Sequence, residues 1–146
     1  MHPAITRFSW QKIMNYKVLL AEDNHECRDL FALTLQHLGY QVLQADDGGM
    51  AVKKALSERP DLILMDLTMR NMNGIEATNR LRANSLTKHT PIIICTGWLA
   101  RQYRETAIQS GAQEVVTKPV SMKDLARLLT RYLPTPVSAV ALPAAS

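Results

Sequence analysis

The chain has 146 residues, of which 47% are hydrophobic and 21% are charged, so its composition is that of one globular domain and excludes a mainly disordered protein. The formal net charge is +4, but the 17 lysines and arginines are scattered, which argues against a surface for direct nucleic-acid binding. No secretory signal, Cys-x-x-Cys pair or apolar run near the ~20 residues that span a bilayer is present, so we expect a cytoplasmic protein without membrane contact, whose Cys27 and Cys95 are reduced core thiols.

The first half of the chain predicts two strands and two helices after an irregular start. Residues 1–16 show no clean periodicity and are expected to form an N-terminal extension outside the core. Lys17–Ala21 is a compact apolar strand, and the mixed polar and apolar segment Gln41–Ala45 is typical of a strand at a sheet edge. Apolar residues at helical spacing follow each strand: Cys27, Phe31, Leu35 and Leu38 after the first, and Ala51, Val52, Ala55 and Leu56 after the second.

The second half continues this alternation. Asp61–Asp66 is apolar between its two aspartates, which predicts a strand buried on both faces that ends in a carboxylate. The remaining predicted elements are a short helix containing Ile75, Ala77, Thr78 and Leu81, a strand over Pro91–Cys95, a weakly amphipathic helix over Trp98–Gln109, a strand over Gln113–Val116, and a helix with Met122, Leu125, Leu129 and Tyr132 on one face. Residues 134–146 are rich in Ala, Pro and Ser and are expected to be disordered.

Five strands that alternate with five helices predict one α/β domain over residues 17–133, with a parallel sheet between two layers of helices. The carboxyl ends of parallel strands lie along one edge of a sheet, where ligands usually bind. Polar residues stand at four of these ends: Glu22 and Asp23 after the first strand, Asp66 at the end of the third, Thr96 after the fourth and Lys118 after the fifth. We therefore expect them to share one pocket.

The chemistry of this set points to phosphoryl transfer. Crowded carboxylates repel one another, and a divalent cation relieves that repulsion; oxygen ligands without His or Cys suit Mg²⁺ better than zinc. A carboxylate can also attack phosphorus to give an aspartyl phosphate. Lys118 and the metal can neutralise the charge of the transferred group, and the Thr96 hydroxyl can donate to a phosphoryl oxygen. Taken alone, Glu22 and Asp23 could simply favour a helix N-terminus, and Asp66 could cap a turn.

These residues lie in segments that resemble the receiver domain of bacterial two-component response regulators. The segments are Leu19–Asn24, Leu64–Met69, Asn73–Gly74, Cys95–Gly97 and Thr117–Pro119, and the resemblance runs from Lys17 to about Leu133. It implies a flavodoxin-like (CheY-like) doubly wound sheet in the strand order 2-1-3-4-5. It also implies roles for the site residues: Asp66 is the phosphoacceptor, Thr96 and Lys118 contact the phosphoryl group, and Glu22, Asp23, Asp66 and the Thr68 backbone carbonyl hold Mg²⁺. The Lys118–Pro119 bond is expected to be cis.

The sequence departs from the family pattern at four positions. Arg70 stands where the family usually has Pro, and Asn73 stands where it usually has Asp. Gly97 replaces a small residue that is commonly Ala, and Val115 replaces an aromatic residue that usually moves when the family switches state. The residues expected to carry the chemistry are all present, but the usual aromatic switch is absent.

The resemblance implies a phosphoryl-accepting signalling switch rather than an enzyme. Its donor would be a histidine kinase or a histidine phosphotransfer protein, and its phosphorylated surface would bind an unknown downstream protein, with the chain a monomer or weak homodimer. One alternative is a receiver-shaped interaction module that is never phosphorylated, supported by Val115 and Arg70. Another is an aspartyl-phosphate hydrolase of the haloacid-dehalogenase type, which is disfavoured because Thr68 stands where those enzymes have a second Asp.

Overall fold

Strands and helices alternate throughout the part of the chain that the computed structural model describes, which is residues 16–133. The strands are β1 (Lys17–Ala21), β2 (Gln41–Ala45), β3 (Leu62–Asp66), β4 (Ile92–Thr96) and β5 (Glu114–Thr117). The helices are α1 (His25–His37), α2 (Gly48–Glu58), α3 (Gly74–Arg82), α4 (Arg104–Gln109) and α5 (Met122–Thr130). The predicted strands are confirmed to within one residue. Most of the predicted N-terminal extension and the whole 134–146 segment lie outside the described residues.

The five strands form one parallel sheet in the order β2-β1-β3-β4-β5, which confirms the predicted doubly wound α/β fold. β2 lies at an edge, as its mixed composition predicted. β3 lies at the centre, and all five of its residues are buried. Asp66 therefore ends a strand that has a neighbouring strand on each side, and backbone hydrogen bonds between these strands fix its position.

Two hydrophobic clusters cover the two faces of this sheet. Successive residues of a strand point to opposite faces, so Ile63 and Met65 belong to the cluster that includes residues of α2, α3 and α4. Leu62 and Leu64 belong to the cluster that includes residues of α1 and α5. Because both faces are covered, polar side chains from the central strands reach solvent only at the ends of the sheet.

Polar caps begin the helices at the carboxyl edge of the sheet. The side-chain oxygens of Asn24, Asp47 and Asn73 accept hydrogen bonds from backbone N–H groups in the first turns of α1, α2 and α3. Asn73, which replaces the family's usual Asp, thus still caps its helix, with an Oδ1 to Glu76 N distance of 2.9 Å. These caps fix where each helix starts relative to the strand that precedes it.

Two expectations for the helices need correction. The predicted helix over Trp98–Gln109 is a 3₁₀ helix over Trp98–Tyr103 followed by the short α4. Apolar spacing predicts a helical segment here but does not separate the two helix types. The predicted last helix ends at Thr130, so Tyr132 lies beyond it; on the helix itself Leu125 and Leu129 are buried, and Met122, in the first turn beside a surface groove, is 47% exposed. Within the described residues, no helix is both long and apolar enough to cross a membrane.

Candidate functional site

Two buried acids stand at the carboxyl ends of β1 and β3. Asp66 is the last residue of β3 and Glu22 follows β1 directly; their exposed fractions are 8% and 2%. The backbone fixes both positions: the Glu22 N–H donates to the Ala45 carbonyl at 3.0 Å, and the Leu67 N–H donates to the Cys95 carbonyl at 3.0 Å. The two carboxylates are therefore held side by side by ladder hydrogen bonds that continue past the strands.

Asp23 completes a group of three carboxylates with Glu22 and Asp66. One oxygen from each residue lies within 4.8 Å of the others, which is close enough for the three to bind a single cation. Asp23 is the most accessible of them, with 25% of its side chain exposed, so the cleft opens to solvent on its side. A set of oxygen donors of this kind fits a hard divalent cation such as Mg²⁺.

Lys118 reaches this group from β5. Its ammonium nitrogen lies 3.4 Å from Oδ1 of Asp66 and also donates a hydrogen bond to the Glu22 carboxylate. The Lys118 N–H donates to the Thr96 carbonyl at 2.8 Å, which extends the β4–β5 pairing to the lysine itself. The Lys118–Pro119 peptide bond is cis, as predicted. The ammonium group of Lys118 thus contacts two buried carboxylates, and the lysine side chain is largely buried with them.

Burial and the neighbouring charges shift the pKa values of these groups in different directions. Burial raises the pKa of Asp66 to about 7, against the attraction of Lys118 and with the repulsion of Glu22. For Glu22, burial is outweighed by the hydrogen bonds to its carboxylate, chiefly from Lys118, so its pKa is lowered. The pKa of Lys118 is raised because its contacts with Glu22 and Asp66 outweigh its burial. Of the two buried carboxylates, Asp66 is therefore the one that takes up a proton more readily.

Thr96 and Thr68 lie at the same edge of the sheet. Thr96 is the buried last residue of β4, and its hydroxyl donates to the Gly97 carbonyl at 3.2 Å. It has to exchange that partner to serve a phosphoryl oxygen. Thr68 is exposed in the turn after β3, two residues beyond Asp66. The roles assigned to the Thr96 hydroxyl and the Thr68 carbonyl remain predictions.

Two glycines next to the site differ sharply in the space around them. A Cβ on Gly74 would come within 2.4 Å of the Asp66 carbonyl oxygen, so α3 can start this close to the end of β3 only because residue 74 has no side chain. The Gly74 N–H also donates to the Leu67 carbonyl at 2.8 Å. A Cβ on Gly97 would meet nothing within 4 Å. The backbone beside Thr96 is therefore open, whereas the backbone beside Asp66 is tightly packed.

The structure also reveals neighbours of the site that the sequence did not predict. Cys27 was expected in the core but is only half-buried, and its sulfur lies 3.9 Å from the Lys118 nitrogen; Cys95 is buried as expected, and both thiols are free. The reason is that Cys27 lies in the first turn of α1, beside the cleft rather than over the sheet. Arg70 contacts Asp23 through its backbone N–H and its guanidinium. The sequence feature that could have indicated this contact is the presence of Arg70 where the family usually has Pro.

Comparison with known proteins identifies the family to which this site belongs. The family model of the response regulator receiver domain matches residues 18–130. The chain belongs to this family. The predicted resemblance is thereby confirmed, and the two-component signalling context applies to this receiver domain.

Two of its curated relatives are single receiver-sized proteins. The receiver domain is 34% identical to the protein PilH of Pseudomonas aeruginosa over 80% of this chain and 97% of that protein. It is 30% identical to the polar-differentiation response regulator DivK of Brucella anthropi over 82% and 98%. By contrast, the match to the transcriptional regulatory protein PhoP of Bacillus subtilis, at 34% identity, spans 77% of this chain but only 46% of that protein.

Solved structures show the same fold, and one of them holds a metal ion. The receiver domain of the sensor histidine kinase PA1611 from Pseudomonas aeruginosa PAO1, which has a magnesium ion coordinated in its active site cleft, is 34% identical with a TM-score of 0.76, covering 81% of this chain and 97% of that one. The chemotaxis protein CheY4 of Vibrio cholerae is 34% identical with a TM-score of 0.75, covering 81% and 98%. The CheY-like fold predicted from the sequence is therefore confirmed.

Proposed function

We propose that this receiver domain accepts a phosphoryl group on Asp66 from a partner phosphohistidine and thereby changes the surface that it offers to a downstream protein. The observation that carries the proposal is the contact of one ammonium group, that of Lys118, with two buried carboxylates, Glu22 and Asp66, beside the more accessible Asp23. A structural ion pair would need only one acid. Lys118 and the exposed Arg70 do not offset three carboxylates, and the remaining negative charge suits a divalent cation.

In the proposed reaction, an ionised oxygen of Asp66 forms a bond to phosphorus while the bond between phosphorus and the donor's imidazole nitrogen breaks. The electron pair of that bond leaves with the imidazole, which takes a proton from solvent. Lys118 is already 3.4 Å from Asp66 Oδ1, so it can follow the negative charge as it moves onto the phosphoryl oxygens. The Thr96 hydroxyl, once it leaves the Gly97 carbonyl, can donate to one of those oxygens.

Glu22, Asp23 and Asp66, with the Thr68 carbonyl, are the groups that would hold Mg²⁺. When bound, this ion would neutralise charge between the carboxylates and the phosphoryl group. The chain's own part is to keep Asp66 ionised and oriented. Because burial raises the pKa of Asp66 to about 7, positive charge beside it is needed for full ionisation at neutral pH. Lys118 already lies beside Asp66 in the state that has this pKa, so the metal would supply the additional positive charge.

The donor is proposed to dock on the first helix beside Lys118. A groove of about 490 Å³ is lined by residues of α1 and α5, with Lys118 and Cys27 at the end nearest the acids. On α1, Leu30 lines this groove and is 68% exposed, and Leu33, one turn further along, is 64% exposed. A helical donor packed on this apolar face would bring its phosphohistidine directly to the cleft. This location supports a histidine kinase or a histidine phosphotransfer protein as the partner.

The readout is proposed to involve the segment after Thr96. This segment starts as a 3₁₀ helix and continues as α4, where Arg104 donates to the Val115 carbonyl at 2.7 Å. Val115 is buried and cannot perform the movement of an aromatic side chain. We therefore place the change in the backbone of the 97–109 segment, driven by the exchange of the Thr96 hydroxyl from Gly97 to the phosphoryl group.

Labelling with a small donor tests phosphorylation without a partner. Incubation with acetyl phosphate and Mg²⁺, followed by intact mass, is expected to show one added phosphoryl group that is lost with Asp66→Asn and when EDTA replaces Mg²⁺.

The docking face is tested by Leu30→Asp, which should slow transfer from a kinase at least tenfold and leave acetyl phosphate labelling unchanged. Absence of labelling, under conditions in which a known receiver labels, would instead favour the non-phosphorylated interaction module.

A further inference from the structure

Arg70 brings a neutral hydrogen-bond donor and a positive charge to the same oxygen of Asp23. Its backbone N–H lies 3.3 Å from Asp23 Oδ2, and the Nε of its guanidinium lies 3.9 Å from that atom. Arg70 belongs to the turn between β3 and α3, and Asp23 belongs to the turn after β1, so the contact joins two loops across the mouth of the cleft. Asp23 is at the same time the most accessible of the three clustered acids.

The residue type at position 70 determines both contacts. A proline has no N–H and no charge, so neither interaction could form with proline at this position. With arginine, the carboxylate of Asp23 is already partly neutralised by a cation of the chain itself. The other two acids are served by Lys118, which contacts Glu22 and Asp66. Each carboxylate of the cluster therefore has a cationic partner before any metal ion enters.

We propose that Arg70 competes with Mg²⁺ for Asp23 and so sets the metal concentration at which this domain becomes competent for phosphorylation. This inference rests on the proposed function, because it assumes that the three carboxylates hold the metal. A divalent ion that binds Asp23 has to share Oδ2 with the backbone N–H of Arg70 and is repelled by the guanidinium that lies 3.9 Å from that oxygen. Removal of Arg70 should therefore tighten Mg²⁺ binding rather than weaken it.

The expected effect is modest because the Arg70 side chain is 69% exposed and its interaction is screened by water and salt. Arg70→Ala and Arg70→Gln remove the guanidinium and keep the N–H, and we expect the Kd for Mg²⁺ to fall about two- to threefold. Arg70→Pro removes both the N–H donor and the guanidinium charge, and the Kd should fall further, to about a third to a tenth of the original value. The part of the Kd difference that is due to the guanidinium charge should become smaller in 0.5 M salt, about three times the physiological ionic strength.

The test is a titration of ¹⁵N-labelled protein with MgCl₂, in which amide chemical shifts near the cleft, such as that of Gly74, give the Kd without any phosphoryl donor. The same spectra show whether each variant is folded, and Arg70→Gln keeps the test valid if Arg70→Pro does not fold. Arg80→Ala is the matched control, because Arg80 is an exposed arginine in the last turn of α3, at the end away from the cleft. It removes the same charge from the protein without touching the cluster.

We expect Arg70→Pro to bind Mg²⁺ most tightly, followed by Arg70→Ala and Arg70→Gln. The original chain and Arg80→Ala should bind it most weakly and equally. Equal Kd values for all of these proteins would overturn the inference and leave the proposed function intact. Weaker binding in Arg70→Ala would also overturn it and would show that Arg70 orients Asp23 for the metal. Absence of saturable Mg²⁺ binding by the original chain would overturn both.

Discussion

Lys118 and Asp66 are in contact across the sheet, with 3.4 Å between Nζ and Oδ1, although β4 separates their strands. The lysine reaches past β4 to Glu22 as well, so the last strand is tied to the first and third strands at the carboxyl edge. This contact brings Lys118, the only lysine that directly follows the carboxyl end of a strand in the described domain, to the buried nucleophile candidate. The site is therefore assembled by folding and not by any local motif.

Removal of the lysine charge should destabilise the metal-free domain. In Lys118→Met, Glu22 and Asp66 stay buried without their shared cation, and we expect the free energy of unfolding at pH 8 to fall by about 2 to 3 kcal/mol. Urea denaturation measures this, and Lys123→Met, at an exposed position of α5, is the control. The loss should be smaller at pH 5, where Asp66 is protonated. Equal midpoints for the two variants at pH 8 would show that the contact contributes no stability.

The buried carboxylate of Asp66 should make stability depend on pH. Its pKa is raised from the ordinary 3.8 to about 7, so between these values the unfolded chain loses this proton before the folded chain does. The contribution of Asp66 to stability is therefore complete below about pH 4 and is lost as the pH rises to 7. Asp66→Asn removes this dependence, and we expect it to be more stable than the original chain by about 1 to 3 kcal/mol at pH 8 and by much less at pH 4.5.

Thermal unfolding of the metal-free protein at several pH values, with and without Asp66→Asn, checks this expectation. The two curves of stability against pH should converge toward pH 4 and separate as the pH rises to 7. Addition of Mg²⁺ at pH 8 should raise the stability of the original chain more than that of the variant, because the ion binds the folded state. A difference that does not change between pH 4.5 and 8 would contradict the raised pKa.

The two glycines beside the site offer a matched pair of substitutions. Gly74→Ala would place a methyl group 2.4 Å from the Asp66 carbonyl oxygen, so the start of α3 or the end of β3 has to move. We expect a loss of about 1 to 3 kcal/mol and slower labelling by acetyl phosphate. Gly97→Ala has open space and should change stability by less than about 0.5 kcal/mol. Similar denaturation midpoints for both variants would argue against the close packing at Gly74.

Much of the fold could be predicted because each local signal agreed with the others. The short, continuous apolar run before Asp66 predicted a strand covered on both faces, and the structure places it at the centre of the sheet. The alternation of strands and helices predicted a parallel sheet, and a parallel sheet places Glu22, Asp66 and Lys118 at one edge even when no distance is known. Their contacts in the structure follow from that topology.

Other features depended on information that the sequence pattern does not contain. The segment Trp98–Tyr103 has the apolar spacing of a helix but adopts 3₁₀ geometry, a choice that depends on its surroundings. The half-exposed position of Cys27 depends on how α1 lies against Lys118, which is a tertiary contact. The pairing of Arg70 with Asp23 joins two loops whose relative position only the folded sheet defines.

The central claim is that Asp66, and no other acid of the cluster, becomes phosphorylated. The most direct measurement is reduction of the acetyl phosphate-treated protein with borohydride, which converts an aspartyl phosphate into homoserine, followed by tandem mass spectrometry of the peptides. We expect homoserine at position 66 in the Mg²⁺-containing sample and at no position when EDTA is present. Homoserine at Asp23, a reduced product at Glu22, or unmodified Asp66 in a sample whose intact mass shows phosphorylation, would contradict the account.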